Sequence, residues 1–188
     1  MKVLGIVGSP RKGGNTEIMV EEALAAAREA GAETEIVLVA DKKIEGCDSC
    51  RTCFETDKCK IKDDMQPLYE QMEAANAIIL GTPVYFHNVS AQLKAIMDRT
   101  FVLLIKMRLK GKVAAPITAL RRIGAGTTRN LLYGFFLAQG MIPVRGAAGY
   151  GSGKGEVREG FGGGRNISAM EEARNVGTDI VDLLKRIS

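Results

Sequence analysis

Tryptophan is absent from this chain, aromatic residues make up only 5% of it, and histidine occurs once. A protein that holds single strands by stacking bases on aromatic side chains needs more of them, and no block of Lys and Arg offers a surface that tracks phosphates. Also missing is any apolar stretch approaching the roughly 18 residues of a membrane-spanning helix. Met1-Lys2 runs straight into Val3-Leu4-Gly5-Ile6-Val7-Gly8, too short for the apolar region of a signal peptide and without a cleavage site. Nucleic-acid and membrane partners are therefore not expected, and the expected compartment is the cytoplasm. Cysteine is missing everywhere except between Cys47 and Cys59, where all four lie. In a reducing compartment such clustering points to metal, cluster or redox chemistry rather than to a disulfide framework.

What remains is ordinary for a globular protein: 188 residues, 46% hydrophobic and 26% charged, with a formal net charge of +4. The length suits one well-cored domain, 1–188. The mild positive charge suits an anionic cofactor or an acidic protein partner.

Along the chain, short apolar runs alternate with amphipathic stretches. Lys2–Val7 reads as a strand buried on both faces, and Glu17 to Ala30 as a helix that Gly31 stops. Glu33–Val39 is a second strand. Residues 40–63 have no clear periodicity and form a Cys-rich insertion. Asp63-Asp64 caps a helix through Ala75, with Pro67 tolerated in its first turn. Ala77–Gly81 is a third strand, and Ser90 caps the helix carrying Leu93, Ile96, Met97 and Phe101. Lys112–Ala119 is a fourth strand, Thr127–Gln139 a helix, Met141–Ala148 a fifth strand and Ile167 to Ile187 a last amphipathic helix. This alternation predicts an α/β fold with a parallel sheet, helices on both faces and right-handed crossovers. Five strands suggest the doubly wound order 2-1-3-4-5, with ligands outside the carboxyl ends of strands 1 and 3.

The loop after strand 1 is Gly8-Ser9-Pro10-Arg11-Lys12-Gly13-Gly14-Asn15-Thr16. Small residues let backbone N–H groups approach an anion, Ser9, Asn15 and Thr16 offer donors, Arg11 adds charge, and the next helix aims its N-terminus there. A phosphate suits this loop; the plainer alternative is a strand-to-helix turn with Asn15 or Thr16 as the cap. A Walker A loop is excluded because Gly14-Asn15 stands where Lys-Ser/Thr is required, and Gly8-Ser9-Pro10 breaks a dinucleotide G-x-G-x-x-G.

Cys47-x2-Cys50-x2-Cys53-x5-Cys59 is the second strong signal. Its first three cysteines have the spacing of a ferredoxin cluster loop, whereas the fourth departs from it, which suggests one self-contained [4Fe–4S] cluster. Zinc fits less well, since zinc ribbons bring together two C-x2-C pairs across a longer separation. Thiols without any metal are the third possibility.

Gly-Ser-Pro-Arg-x-Gly-Gly-Asn-Thr after the first strand resembles the FMN-phosphate loop of the NAD(P)H-dependent FMN reductases and related flavodoxin-like flavoproteins. Thr82-Pro83-Val84-Tyr85-Phe86, then Leu93-Lys94 and Asp98-Arg99, resembles their flavin-ring loop and the helix that follows. The resemblance runs through nearly the whole chain. It implies a flavodoxin-like fold and FMN held by Ser9, Arg11, Gly14, Asn15 and Thr16 at the phosphate. Pro83, Val84, Tyr85, Phe86, His87 and Asn88 then stand beside the ring, with Gly124 completing the site from the loop Leu120 to Thr128. His87 is assigned to binding: flavin-mediated hydride transfer needs no protein base, so no catalytic residue is expected. Asp98 and Arg99 are read as a structural pair.

With its compact cysteine motif the chain resembles the archaeal and bacterial iron–sulfur flavoproteins. That resemblance implies that Cys47, Cys50, Cys53 and Cys59 ligate a [4Fe–4S] cluster exchanging electrons with FMN, and that subunits form a homodimer or homotetramer. The expected function is an FMN-dependent oxidoreductase exchanging electrons with a ferredoxin-like carrier, usually acidic, or a small acceptor. The alternative is a cluster-free FMN or quinone reductase using NAD(P)H as donor; a flavodoxin-type carrier and a nucleotide-dependent regulator fit less well. Gly149-Tyr150-Gly151-Ser152-Gly153-Lys154-Gly155 only faintly resembles a nucleotide loop and is read as a mobile surface loop. Together with Gly160 to Gly164 it is a candidate cover for a neighbouring subunit's flavin.

Overall fold

Val3, Leu4, Ile6 and Val7 are all buried, and a strand that is apolar on both faces must be covered on both. They form β1 (Lys2–Val7), which lies parallel between β2 (Glu33–Leu38) and β3 (Ala77–Pro83). β4 (Val113–Leu120) continues the sheet beyond β3. The resulting order, β2-β1-β3-β4-β5, is the one expected from sequence. A computed structural model describes residues 1–160 and 167–187 of the chain; the expected flavin cover at Gly160 to Gly164 lies mostly outside them.

Helices α1 (Asn15–Glu29) and α7 (Ala169–Ile187) cover the face carrying Val3, Val7, Ile79 and Ile117. The opposite face, with Leu4, Ile6, Ile78 and Leu80, packs under α3 (Met65–Ala74), α4 (Ala91–Arg99) and α6 (Ala125–Ala138). Two short helices complete the second layer: α2 (Thr52–Thr56), inside the cysteine segment, and α5 (Phe101–Leu104). As expected, Ser90 caps α4, its Oγ accepting the Leu93 N–H at 3.1 Å. The winding reverses between β1 and β3, so the loops after these strands open the crevice where such sheets bind ligands.

The expected fifth strand is divided. β5 (Ile142–Pro143) and β6 (Ala147–Tyr150) both pair with β4, in one lane, with a break between them. Ile142 and Val144 donate to the carbonyls of Lys112 and Ala114, so even-numbered positions of β4 face this lane. The next such position is Pro116, which has no N–H to give. Between the pairs Ala114↔Pro143 and Ile117↔Ala147 the outer chain advances one residue more than β4, a bulge at the missing donor. The bulge leaves β6 in register to deliver its following loop to the crevice.

Helices α1 and α7 touch almost backbone to backbone. A Cβ at Gly177 would stand 2.0 Å from the Ala23 carbonyl oxygen and 3.0 Å from the Ala27 nitrogen. Alanine gains up to ~1 kcal/mol of helix propensity over glycine, but overpacking here costs ~1–3 kcal/mol. Gly177→Ala is therefore expected to lower the urea midpoint at unchanged m-value; a raised midpoint would contradict this close approach.

Candidate functional site

The sheet's carboxyl edge carries a cleft of ≈ 400 Å³. Ser9, Arg11, Lys12, Gly14, Asn15 and Thr16 line it from the β1 loop, and Pro83, Val84 and Tyr85 from the β3 loop. The first loop is held by short-range bonds. Ser9 is buried, and its Oγ accepts the Arg11 N–H at 3.1 Å. Gly13, at φ +60°, donates its N–H to Glu17 Oε2 at 2.6 Å. Gly14, in extended conformation, is the N-cap of α1, and no side chain closes that end. The alternative of Asn15 or Thr16 as a capping side chain is thus not what is found: α1 presents an uncapped N-terminus to the cleft, an arrangement suited to an anion.

Asn15 instead reaches across the crevice. Its Nδ2 donates to the Gly153 carbonyl and its Oδ1 accepts the Gly155 N–H, both at 2.9 Å. The segment after β6, read from sequence as a mobile surface loop, is therefore fastened to the β1 loop of its own chain. Gly151, Ser152, Gly153 and Lys154 line the cleft, with Ala119, Leu120 and Arg121 from the end of β4. Sequence reasoning missed this wall. The available signal was positional, because a loop leaving the carboxyl end of a strand beside β4 must emerge at the same edge as the other crevice loops.

Phe86, His87, Asn88 and Gly124 are not among the residues lining the cleft. They form its shoulder. Tyr85 and Asn88 exchange both backbone hydrogen bonds at 3.0 Å, and Phe86 and His87 between them have φ of 49° and 62°. Positive φ at both central residues makes this a tight primed turn, and two non-glycine residues in that region cost on the order of 1 kcal/mol each. Phe86 is fully exposed at its tip. Gly124 caps α6 at φ +103° and packs on this turn: a Cβ there would stand 2.9 Å from Val84 Cγ1 and 3.2 Å from His87 Nδ1. Ser90 ties the loops together, its Oγ donating to the Gly8 carbonyl and its N–H bonding Thr82 Oγ1 at 3.0 Å.

A second, larger cavity of ≈ 840 Å³ shares no lining residue with the first. Cys47, Cys50, Cys53 and Cys59 all line it, with Phe54, Ile61, Asp98, Phe101 and Val102 among the other walls. Its mouth loop turns sharply three times, at Ser49, Arg51 and Asp57, all in left-handed conformation. Cys47 and Cys50 are exposed, Cys53 and Cys59 half-buried. Burial pushes the Cys53 thiol up, as does the charge of the three neighbouring cysteines, although a backbone hydrogen bond opposes both. Asp48 is held down at about 2 by the Lys60 ammonium, 2.8 Å away, and by the Cys50 thiol and N–H. Phe54 and Phe101 stack edge-on beside the cavity, centroids 5.4 Å apart. Among the described residues no three His, Cys, Asp or Glu side chains stand at the spacing that grips a single metal ion.

Arg99 holds this segment in place. Its side chain has no exposure, and its guanidinium meets Asp63 in two bonds of 2.8 and 3.0 Å. It also donates to the carbonyls of Glu45 at 3.0 Å and Ile61 at 3.3 Å, on either side of the cysteines. Asp63 in turn accepts the N–H groups of Glu45 and Met65, so it also starts α3. Arg99 thus pairs with Asp63 and not with Asp98, which bonds Lys94 at 2.6 Å. That pairing spans 36 positions of sequence, and no local spacing signals it.

The sequence profile described as NADPH-dependent FMN reductase matches residues 1–154. An iron–sulfur flavoprotein of Methanocaldococcus jannaschii is 42% identical over 197 residues, which cover 100% of this chain and 99% of that protein. An iron–sulfur flavoprotein of Methanosarcina thermophila is 42% identical over 147 residues, covering 77% of each. The solved structure of a flavodoxin from the domain Archaea superposes with a TM-score of 0.64 at 16% identity, over 98% of this chain and 99% of that one. The fold is accordingly flavodoxin-like.

Burial alone would raise the Asp63 carboxyl, but the bonds from Arg99, Glu45 and Met65 outweigh it and hold it below the usual carboxylate range. A carboxyl depressed by folding stabilises fully above its unfolded pKa, and that contribution is lost as pH falls through the lower folded value. Asp63→Asn is expected to cost ~3 kcal/mol at neutral pH and to flatten the acid limb of stability against pH in urea titrations. An acid limb identical to that of the parent would contradict the assignment.

Proposed function

The chain belongs to the NADPH-dependent FMN reductase family, alongside relatives that are iron–sulfur flavoproteins, and it is an FMN-dependent oxidoreductase; from this we propose that it passes electrons between FMN and a [4Fe–4S] cluster. The observation that carries the reading is that all four cysteines line one cavity, apart from the cleft suited to FMN. Bound FMN supplies two-electron and one-electron chemistry, and a cluster supplies single-electron transfer.

The residues present fit both groups. For the phosphate, Ser9, Arg11, Gly14, Asn15 and Thr16 surround an uncapped helix N-terminus, and the Arg11 guanidinium has no protein partner among the described residues. Pro83, Val84 and Tyr85 wall the ring side, while the turn Phe86, His87 and Asn88, backed by Gly124, shapes its rim. The turn's fixed hydrogen bonds hold this rim rigid, which positions a ring and excludes water without a proton-transferring residue. For the cluster, four thiols of one electrostatic neighbourhood crowd a cavity wide enough for a bulky group. Four thiolates in one loop repel one another, and a cationic iron core relieves that repulsion.

The mild positive charge favours an acidic, ferredoxin-like protein as electron partner; a small acceptor is the other outlet. Exposed Phe86 and Ile123 near the cleft favour a homodimer or homotetramer. Action in the cytoplasm is part of the same proposal; no helix among the described residues is long and apolar enough to cross a membrane. A second reading, a cluster-free NAD(P)H-dependent FMN or quinone reductase, is supported by the match of residues 1–154 to the NADPH-dependent FMN reductase family.

Comparing Cys50→Ser with the parent separates the two, since a parent that itself lacks iron and sulfide favours the cluster-free reading. On the cluster reading the variant loses the broad blue-violet absorbance together with iron and sulfide, and keeps FMN. Full retention of iron and sulfide would remove Cys50 from the ligand set.

A further inference from the structure

The wall contributed by residues 151–154 is not explained by the phosphate loop alone. Lys154 lines the cleft, and its ammonium lies over Gly13: a Cβ built there would meet Lys154 Nζ at 2.7 Å. The ammonium makes no hydrogen bond or ion pair with the protein among the described residues. Lys12 beside it is paired with Asp41; Arg11, Arg121 and Lys154 line the cleft with no hydrogen bond or ion pair at their charged ends among the described residues, and of these Arg11 belongs to the loop entering α1 and Lys154 lies over that loop. Two unpartnered cations at an uncapped helix N-terminus suit a dianion.

The loop holding Lys154 is built into the fold. Asn15 bonds it twice, Glu156 accepts the Ser152 N–H at 2.6 Å, and Val157 is completely buried in the core beneath. A Cβ at Gly151 would meet Asn15 Nδ2 at 2.7 Å and the Val157 nitrogen at 3.0 Å, so the chain passes where only glycine fits.

We infer that Lys154 is the second cation of the phosphate site, selecting phosphorylated flavin over riboflavin, and that Asn15 is the latch that positions it. The inference rests on FMN occupying this cleft. A free phosphate-facing ammonium contributes to binding only when the ligand carries the phosphate, so the two flavins report on it separately.

The test is the dissociation constant of FMN and of riboflavin, measured by fluorescence quenching on the full chain, for the parent, Lys154→Met, Lys154→Arg, Asn15→Ala and the double variant. Lys154 is exposed, so its replacement leaves folding intact. Lys154→Met is expected to weaken FMN roughly tenfold with riboflavin unchanged, and Lys154→Arg to restore most of the loss. Asn15→Ala is expected to weaken FMN in the parent but to add little in Lys154→Met, a coupling that only a shared role produces. Parent-like FMN affinity in Lys154→Met, or equal losses for both flavins, would overturn the assignment while FMN binding stands. Additive effects would overturn the latch. A parent that binds no FMN would overturn the FMN reading itself, and this inference with it.

Discussion

One buried guanidinium organises the cysteine segment. Residues 45–63 leave the sheet, turn through three left-handed residues and return with almost no apolar core of their own. The loop is given a shape by Arg99, which closes it from α4 by bonding Asp63 twice and the carbonyls of Glu45 and Ile61. A buried charge left without its partner is costly, so neither residue tolerates loss of the other. The same carboxylate receives the N–H of Met65 and so sets the start of α3. Loop closure, helix initiation and the walls of the thiol cavity depend on one ion pair.

The crevice is organised differently. The sheet is apolar on both faces, which leaves polar chemistry only at strand ends. Four strand ends meet there, with loops from β1, β3, β4 and β6, and none is anchored by a buried charge pair among the described residues. Asn15 joins the β1 loop to the β6 loop, while Ser90 joins the β1 loop to the β3 loop. The two cavities share no wall, while Ser90 and Arg99, which hold the loops of one and of the other, stand at opposite ends of α4. Replacing a thiol is then not expected to disturb the cleft at the sheet's carboxyl edge.

Much of this was legible in the sequence. Alternating buried strands and amphipathic helices predict a parallel sheet covered on both faces, and five strands suggest its doubly wound order. The cysteine spacing and the Gly8–Thr16 loop mark both sites, because they are local patterns. What local pattern does not carry is pairing at a distance. Arg99 stands next to Asp98 in sequence yet belongs to Asp63. The Gly-rich loop after β6 has the composition of a mobile segment yet is fastened by Asn15, more than a hundred residues away. Pro116 lies inside a strand whose neighbour must bulge around a missing N–H, and only the register shows which side that donor would have faced.

The most direct test of two separately held redox groups is their stoichiometry in protein purified without oxygen. FMN, iron, acid-labile sulfide and zinc are to be quantified per chain. About one FMN with about four iron and four sulfide, and no zinc, is the expected composition. FMN without iron, or zinc in its place, would contradict a cluster at Cys47, Cys50, Cys53 and Cys59 and leave a simple flavin reductase.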